Sequence, residues 1–332
     1  MKFSVTKSNR ESIRIISPLL KLSIILFVGW ILYIQVFQNN NVEDLILQFN
    51  LALNQEGSYL YFLLAVYLVP LNWILESIKW KSLVNTFQNF SLVQSFEAIL
   101  AGISMAIITP GRVGEYGGRL IGIRKRNRPK AIIANFISSL SQNIITVGIG
   151  MFGALIFVQK YMPLHQGIFT SLLMISLIII SFMLILYFKI DLLERLLSYL
   201  PDWKWIKSLK RSIVLFQKLD TTELFKILGI STLRYATFLT QYVLLIFFFG
   251  VTDDLLSATL GVVTIFFLQS NLPLPPALSV LARGEMAIFL WSVFTLNVLG
   301  VLAASFSLWI INLVVPAILG TVVISQAKIF DS

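Results

Sequence analysis

Residues 109–119 read TPGRVGEYGGR, and they interrupt an otherwise apolar stretch at 91–123. The chain is basic just before this stretch, at 79–81, and again just after it, at 124–130. Basic flanks mark the cytoplasmic side of a membrane protein, so the stretch begins and ends on the same side. Its second limb, 113–123, is too short to cross a hydrocarbon core of about 30 Å. The sequence therefore predicts a re-entrant helical hairpin with its break inside the membrane.

The whole chain is strongly apolar. Of its 332 residues, 57% are hydrophobic and 13% are charged, whereas soluble domains are about 45–50% apolar. The net charge of +10 comes from Lys and Arg in loops beside apolar runs, which is the positive-inside pattern and does not indicate nucleic-acid binding. We expect an all-α, multi-pass protein of the bacterial inner membrane, with both termini in the cytoplasm and 1–332 as a single membrane domain.

The charge bias predicts about six full transmembrane helices and a second interrupted segment. The full spans are expected at 15–37, 58–78, 131–158, 168–188, 224–250 and 299–324. The second interrupted segment, 255–297, is broken by NLPLPPA at 271–277 and has acidic residues outside its start. We read it as a re-entrant hairpin that enters from the face opposite to the first.

Two oppositely oriented hairpins, each between two full spans, are typical of an inverted repeat. We assign the repeats to 58–158 and 224–325. Before them, 1–57 is expected to form a signal anchor and an outer loop. Between them, 159–223 holds a connecting span and a basic amphipathic linker, which is either a helix on the cytoplasmic membrane surface or a plain solvated linker.

Several catalytic classes lack the residues they need. The chain has no cysteine and a single histidine, His165, so thiolate nucleophiles, thiolate metal sites and histidine pairs are excluded. We expect no catalytic residues, no metal and no cofactor, and function must then lie among the transmembrane helices.

Charged residues follow the first break at helical spacing. Arg112, Glu115 and Arg119 lie three and four residues apart, so a helical limb would place them on one face with the carboxylate between two guanidiniums. Charges at membrane depth are expensive and are usually partnered or functional. Surplus positive charge with planar donors suits a phosphate, and Thr109, Gly111 and Gly114 would let the backbone approach it. The alternative is a closed ion network that only pins the hairpin.

The second hairpin offers a weaker set of polar residues. Gln269 and Asn271 lie before its break, and Arg283 and Glu285 lie after it. They either complete a polar path between the leaflets or supply an Arg–Glu pair that joins the two hairpins. Two further acids are buried candidates, Glu97 and Glu76, and the latter is expected to pair with Lys79 at the membrane interface.

At these residues the sequence resembles the transmembrane family of lysylphosphatidylglycerol synthases and flippases. The resemblance covers most of the chain, and its first signature, Thr-Pro-Gly-Arg-x-Gly-Glu followed by Arg, is matched by Thr109, Pro110, Gly111, Arg112, Gly114, Glu115 and Arg119. The second signature is usually a Gly-rich turn leading to Arg-Glu. Here Arg283 and Glu285 are present with Gly284 between them, and the Gly-rich turn is missing.

The resemblance implies lipid handling. In that family the membrane domain passes aminoacylated phosphatidylglycerol to the outer leaflet, and a separate soluble domain attaches the amino acid. No soluble domain accompanies the spans here, so we expect flippase-like translocation or binding of an anionic or zwitterionic phospholipid, or another lipid phosphate, and not synthase activity. The alternatives are an enzyme for a lipid-linked substrate and a non-catalytic partner of a lipid-modifying enzyme. The sequence leaves open assembly into a homo-oligomer.

Overall fold

The computed structural model describes residues 42–199, 203–217, 219–270 and 276–326, together with Leu26 and Trp30. Within these ranges the chain is helical and contains no β-strand. The helices are α1 (Val42–Leu53), α2 (Tyr59–Val84), α3 (Leu92–Ile107), α4 (Gly114–Gly118), α5 (Arg128–Tyr161), α6 (Gln166–Phe188), α7 (Ile190–Ser198), α8 (Lys204–Phe216), α9 (Thr221–Phe248), α10 (Leu255–Ser270), α11 (Pro276–Trp291), α12 (Val298–Trp309) and α13 (Val315–Gln326). Short 3₁₀ turns lie at Pro110–Arg112 and Lys125–Asn127, and a π-helical turn at Ile310–Val314 joins α12 to α13.

Five stretches of helix in the described part of the chain are long and apolar enough to cross a membrane. They are Tyr59–Val84, Lys125–Tyr161, Gln166–Phe188, Thr221–Phe248 and Val298–Gln326. The predicted all-α, multi-pass membrane architecture is therefore confirmed. The span expected at 15–37 lies outside the described residues, apart from Leu26 and Trp30.

α2 and α9 pack along each other, and the buried apolar residues form two large clusters that these two helices share with most of the other helices. In contrast, α6 is almost wholly apolar yet exposes most of its side chains. An apolar surface of this kind is expected where the solvent is lipid instead of water. The polar groups that could carry function are therefore to be sought inside the bundle.

The first interrupted segment folds back on itself. α3 begins at Ser91, whose side chain caps the Gln94 amide while the Gln94 side chain accepts from the Ser91 amide. After the break, α4 packs against α3, and the approach is close because a Cβ on Gly118 would lie 2.4 Å from the Ala101 carbonyl oxygen. The limb predicted after the break is thus one short helix followed by turns.

The second interrupted segment also forms two packed helices, α10 and α11. Gly261 on α10 makes room for the ring of Trp291 on α11, since a Cβ there would lie 2.7 Å from that ring. Residues 271–275, which include Asn271 and most of the predicted break, lie outside the described residues.

The packing of the two segments is reciprocal. α3, the first limb of the first segment, packs on α13, and Ser104 Oγ donates to the Ala317 carbonyl at 2.6 Å. α10, the first limb of the second segment, packs on α5, where Gly153 contacts Val263. Each limb is therefore held by a helix from the other half of the chain.

The linker between the halves is helical and partly buried. After α6, the helices α7 and α8 pack against each other, and α8 also packs on α5. Ile213 and Phe216 on α8 are fully buried, whereas Trp203 is exposed. The linker is thus amphipathic, as predicted, and its apolar side is covered by the protein itself.

Candidate functional site

A buried carboxylate, Glu76 on α2, is the centre of a charged cluster. Its Oε2 lies 3.0 Å from Lys79 Nζ on the same helix and 3.2 Å from Arg234 Nη1 on α9. Its Oε1 lies 2.7 Å from Arg119 Nη2, just after α4. Three cations from three elements therefore share one carboxylate. This arrangement ties the first interrupted segment to the central helix pair.

The cluster lies deep within the helices. At 1.5 Å per residue, Glu76 is about 12 Å before the end of α2 and Arg234 about 20 Å after the start of α9. Charges at such depth cost at least roughly 2.5–3.5 kcal/mol each. They persist only if partners or a ligand compensate them.

The turn after α3 sets the direction of the first charged limb. Thr109 Oγ1 donates to the Met105 carbonyl at 3.0 Å and accepts from the Gly114 amide at 2.7 Å. Between them Gly111 and Arg112 both adopt left-handed backbone, with φ of 60° and 59°. That conformation costs a residue with a Cβ about 1–2 kcal/mol. Thr109, Gly111 and Gly114, predicted to approach a ligand, thus shape the turn that presents Arg112.

Glu115 joins two arginines, as the spacing predicted. Its Oε2 accepts from Arg112 Nη2 at 3.0 Å and Nε at 3.1 Å, and its Oε1 contacts Arg119 Nη2. The side chains are 53% exposed for Arg112, 14% for Glu115 and 5% for Arg119. The three residues therefore form a charged row that runs from the surface of the protein to the buried Glu76.

Uncharged polar groups surround the buried end of the cluster. Arg234 Nε donates to Asn72 Oδ1 at 2.9 Å, and Arg234 Nη1 donates to Gln142 Oε1 at 3.3 Å. Asn72 in turn donates to Asn312 Oδ1 at 3.0 Å. Asn312 lies in the π-helical turn, a helix irregularity that is frequent at functional sites.

Serine groups hold the ammonium of Lys79. Its Nζ donates to the Ser138 carbonyl at 3.3 Å and to Ser231 Oγ at 3.2 Å. Ser138 Oγ also donates to Glu76 Oε1 at 3.4 Å. The expected Glu76–Lys79 pair is present, and both residues are buried within the helix bundle. Their position at the membrane interface stays a prediction.

The polar residues of the second hairpin lie apart from this ion network. Arg283 Nη1 donates to Gln269 Oε1 at 3.3 Å, and Gln269 Nε2 donates to the Arg283 carbonyl at 3.3 Å. Glu285 is exposed. No described acidic residue forms an ion pair with Arg283, so the alternative of an Arg–Glu pair between the hairpins is not found among the described residues.

Sequence reasoning missed Arg234 and misplaced Glu97. Glu97 is exposed on α3, so its assignment as a buried candidate is wrong. Arg234 interrupts the apolar span predicted at 224–250, and a lone arginine in such a span is itself a functional signal. That signal was present in the sequence.

The described part of the cluster has more positive than negative charge. Lys79, Arg112, Arg119 and Arg234 share only Glu76 and Glu115. Two buried donors of Arg119, Nε and Nη1, have no hydrogen-bond partner among the described residues, and its guanidinium lies 5.5 Å from the centre of the Trp80 ring. Such a cluster can bind an anion.

No family profile, curated protein or solved structure matches the chain.

Proposed function

We propose that this protein binds the phosphate of a membrane lipid headgroup at Arg112 and Arg119 and passes the headgroup between leaflets, as a flippase does. The observation that carries the proposal is the surplus of positive charge in a membrane-embedded cluster whose outermost member, Arg112, is half exposed. The proposed ligand is an anionic or zwitterionic phospholipid, or another lipid phosphate.

The charge balance favours a ligand over a closed ion network. A network that only pinned the hairpin would match its cations with carboxylates, because each unmatched charge raises the cost of burial. Four cations and two carboxylates, in the described part of the cluster, leave a surplus of positive charge that an anionic phosphate can offset. Phosphate suits the remaining donors, since planar guanidinium groups bind its oxygens in pairs.

The proposal includes two re-entrant hairpins in an inverted repeat, with six full spans. α3 and α10 are each 16 residues long, which is about 24 Å and less than a hydrocarbon core. The reciprocal packing of these two limbs on α13 and α5 supports a repeat. In transporters built this way, the substrate site lies at the repeat interface, and here Arg112 and Arg283 come from opposite repeats.

The proposed setting is the bacterial inner membrane, with both termini in the cytoplasm. The exposed basic residues of the loop at 124–126 support a cytoplasmic position for the open side of the first hairpin. The acidic Asp253 and Asp254 before α10 support an outer position for the start of the second. The resemblance at 109–119 supports a phospholipid as the cargo.

Translocation in vesicles tests the proposal. The full chain is reconstituted into vesicles of phosphatidylethanolamine and phosphatidylglycerol that carry fluorescent phospholipids in the outer leaflet. The fraction of fluorescence that a membrane-impermeant quencher cannot reach is followed over time, because it rises as lipids move to the inner leaflet. We expect faster movement than in empty vesicles, and a loss of most of that rate in Arg112→Ala. Arg126→Ala removes an exposed arginine from the same hairpin's loop and should keep the rate.

The proposal would be overturned if no native lipid class were translocated and if Arg112→Ala and the wild type also bound lipid equally.

A further inference from the structure

We propose that Glu115 is an internal competitor for the lipid phosphate, so that the phosphate binds by displacing the Glu115 carboxylate from Arg112 and Arg119. This inference rests on the proposed function and concerns how the same site binds and releases its ligand. It makes Glu115 a residue that sets affinity, and it assigns the phosphate contacts themselves to the arginines.

The Glu115 carboxylate already makes the contacts that a phosphate would make. One of its oxygens accepts two donors of Arg112, at 3.0 and 3.1 Å, and the other contacts Arg119. The phosphodiester of a phospholipid also presents two charged oxygens, and guanidinium groups bind phosphate and carboxylate through the same paired donors. The two anions would therefore compete for the same guanidinium edges.

The site opens from the Arg112 side. The exposed fraction falls from 53% at Arg112 to 14% at Glu115 and 5% at Arg119. A headgroup that arrives at the surface meets Arg112 first, and it reaches Arg119 only where the Glu115 carboxylate now lies. Exchange of one anion for the other is the step that this geometry requires.

The fold can tolerate the displacement of Glu115. Arg119 would keep its 2.7 Å contact with Glu76 and its position beside Trp80. Arg112 would remain half exposed. Glu115 also lies on a helix of only five residues.

The other carboxylate of the cluster cannot act in this way. Glu76 is buried and pairs with three cations at once. Moving it would leave Lys79 and Arg234 without a carboxylate among the described residues, in a low-dielectric environment. Of the two carboxylates that the described cluster contains, Glu115 is thus the replaceable one.

Binding measurements on Glu115→Gln test the inference. The neutral amide removes the competing charge and keeps the side chain's length. A direct ligand of the headgroup would lose affinity on neutralisation, whereas a competitor gives the opposite sign. We expect dioctanoyl phosphatidylglycerol to bind the full-length variant about tenfold more tightly than the wild type, the effect of roughly one charge-assisted contact. Release, and hence translocation in vesicles, should slow.

Three further arms define the ligand and the background. Dioctanoylglycerol, which lacks phosphate, should bind wild type and Glu115→Gln equally. If the site recognises phosphate alone, inorganic phosphate should also bind Glu115→Gln more tightly than wild type. If only the phospholipid gains affinity, the site is specific for a lipid headgroup. Either result supports displacement. Glu97→Gln, an exposed carboxylate on α3, should match the wild type throughout.

The outcomes separate this inference from the proposed function. If wild type binds phosphatidylglycerol and Arg112→Ala weakens binding, but Glu115→Gln binds no more tightly than wild type, displacement is refuted while lipid binding stands. If no phospholipid binds wild type or any variant, the proposed function itself fails. Should Glu115→Gln not fold, Glu115→Asp, whose shorter carboxylate cannot reach both arginines, must show the same direction of change, and no gain in Glu115→Asp refutes displacement equally.

Discussion

Arg119 Nη2 lies 2.7 Å from Glu76 Oε1 and also contacts the carboxylate of Glu115. One guanidinium therefore joins the charges around Glu76 to a row that reaches the surface. The two carboxylates that it contacts have different partners. Glu76 pairs with the buried Lys79 and Arg119 and with Arg234, which is 19% exposed, whereas Glu115 pairs with one buried and one half-exposed arginine.

Neutralising Glu76 should destabilise the protein severely. Glu76→Gln leaves Lys79, Arg119 and Arg234 without their shared carboxylate, and removing one partner of a buried ion pair costs about 3–5 kcal/mol. We expect a large fall in the thermal unfolding temperature in detergent or a failure to accumulate folded protein. Glu223→Gln is the matched control, because the Glu223–Lys226 pair is exposed at both ends and such pairs contribute about 0–1 kcal/mol. Equal unfolding temperatures for both variants would contradict the central role of Glu76.

Replacing Arg112 by lysine should separate charge from shape. Arg112→Lys keeps the positive charge but loses the planar pair of donors that now contacts Glu115. We expect phospholipid affinity between those of wild type and Arg112→Ala, with an unchanged unfolding temperature. Titration with short-chain phosphatidylglycerol measures the affinity. Full wild-type affinity in Arg112→Lys would mean that the site recognises positive charge without regard to the shape of the guanidinium.

Two neighbouring glycines should respond very differently to a methyl group. In Gly114→Ala the new Cβ would lie 2.1 Å from the Met105 carbonyl oxygen and 2.7 Å from Thr109 Oγ1, so α4 must move away from α3. We expect a loss of about 1–3 kcal/mol in stability, as for overpacked sites, together with weaker lipid binding. In Gly117→Ala no atom lies within 4 Å of the added Cβ, and stability should be unchanged or slightly higher. Similar melting curves for the two variants would refute the tight α3–α4 contact.

The start of α10 should lose stability in acid. Hydrogen bonds from the Ser257 hydroxyl and amide to the Asp254 carboxylate lower the pKa of Asp254. Because this pKa is depressed in the folded protein, the stabilisation is present above the unfolded value of about 3.9 and disappears as the pH falls through the folded pKa. Amide exchange at 256–258, corrected for intrinsic rates, should be faster in Asp254→Asn than in wild type at neutral pH. The difference should vanish in strong acid, and Asp253→Asn should behave as wild type at every pH.

Local spacing was enough to predict the row of charges after the first break. Contacts between residues three and four apart on a helix follow from helix geometry, and Arg112, Glu115 and Arg119 obey it. Spacing could not show that Glu76 and Arg234 meet this row, because that contact depends on how α2, α4 and α9 pack. The burial of Lys79 could not be predicted for a related reason, because its partners Ser138 and Ser231 come from α5 and α9.

In the second hairpin, helix geometry separates two residues that are close in the sequence. Arg283 and Glu285 are two residues apart on α11, and residues at that spacing point to different sides of a helix. The structure accordingly places Arg283 beside Gln269 and leaves Glu285 exposed. Their order in the sequence resembles a motif, but they do not form one ion-pair site.

The packing of α3 on α13 also sets the order in which the protein can be assembled. Ribosomes release the N-terminal part of a chain first, so the first charged hairpin is made well before the helix on which it rests. Gly320 brings α13 so close to α3 that a Cβ there would lie 2.0 Å from the Leu100 carbonyl oxygen. Until α13 has entered the membrane, one side of α3 lacks its neighbour. The first hairpin is therefore fully supported only after α13 arrives, and a chain that stops short of α13 has the charged residues of the cluster without this support.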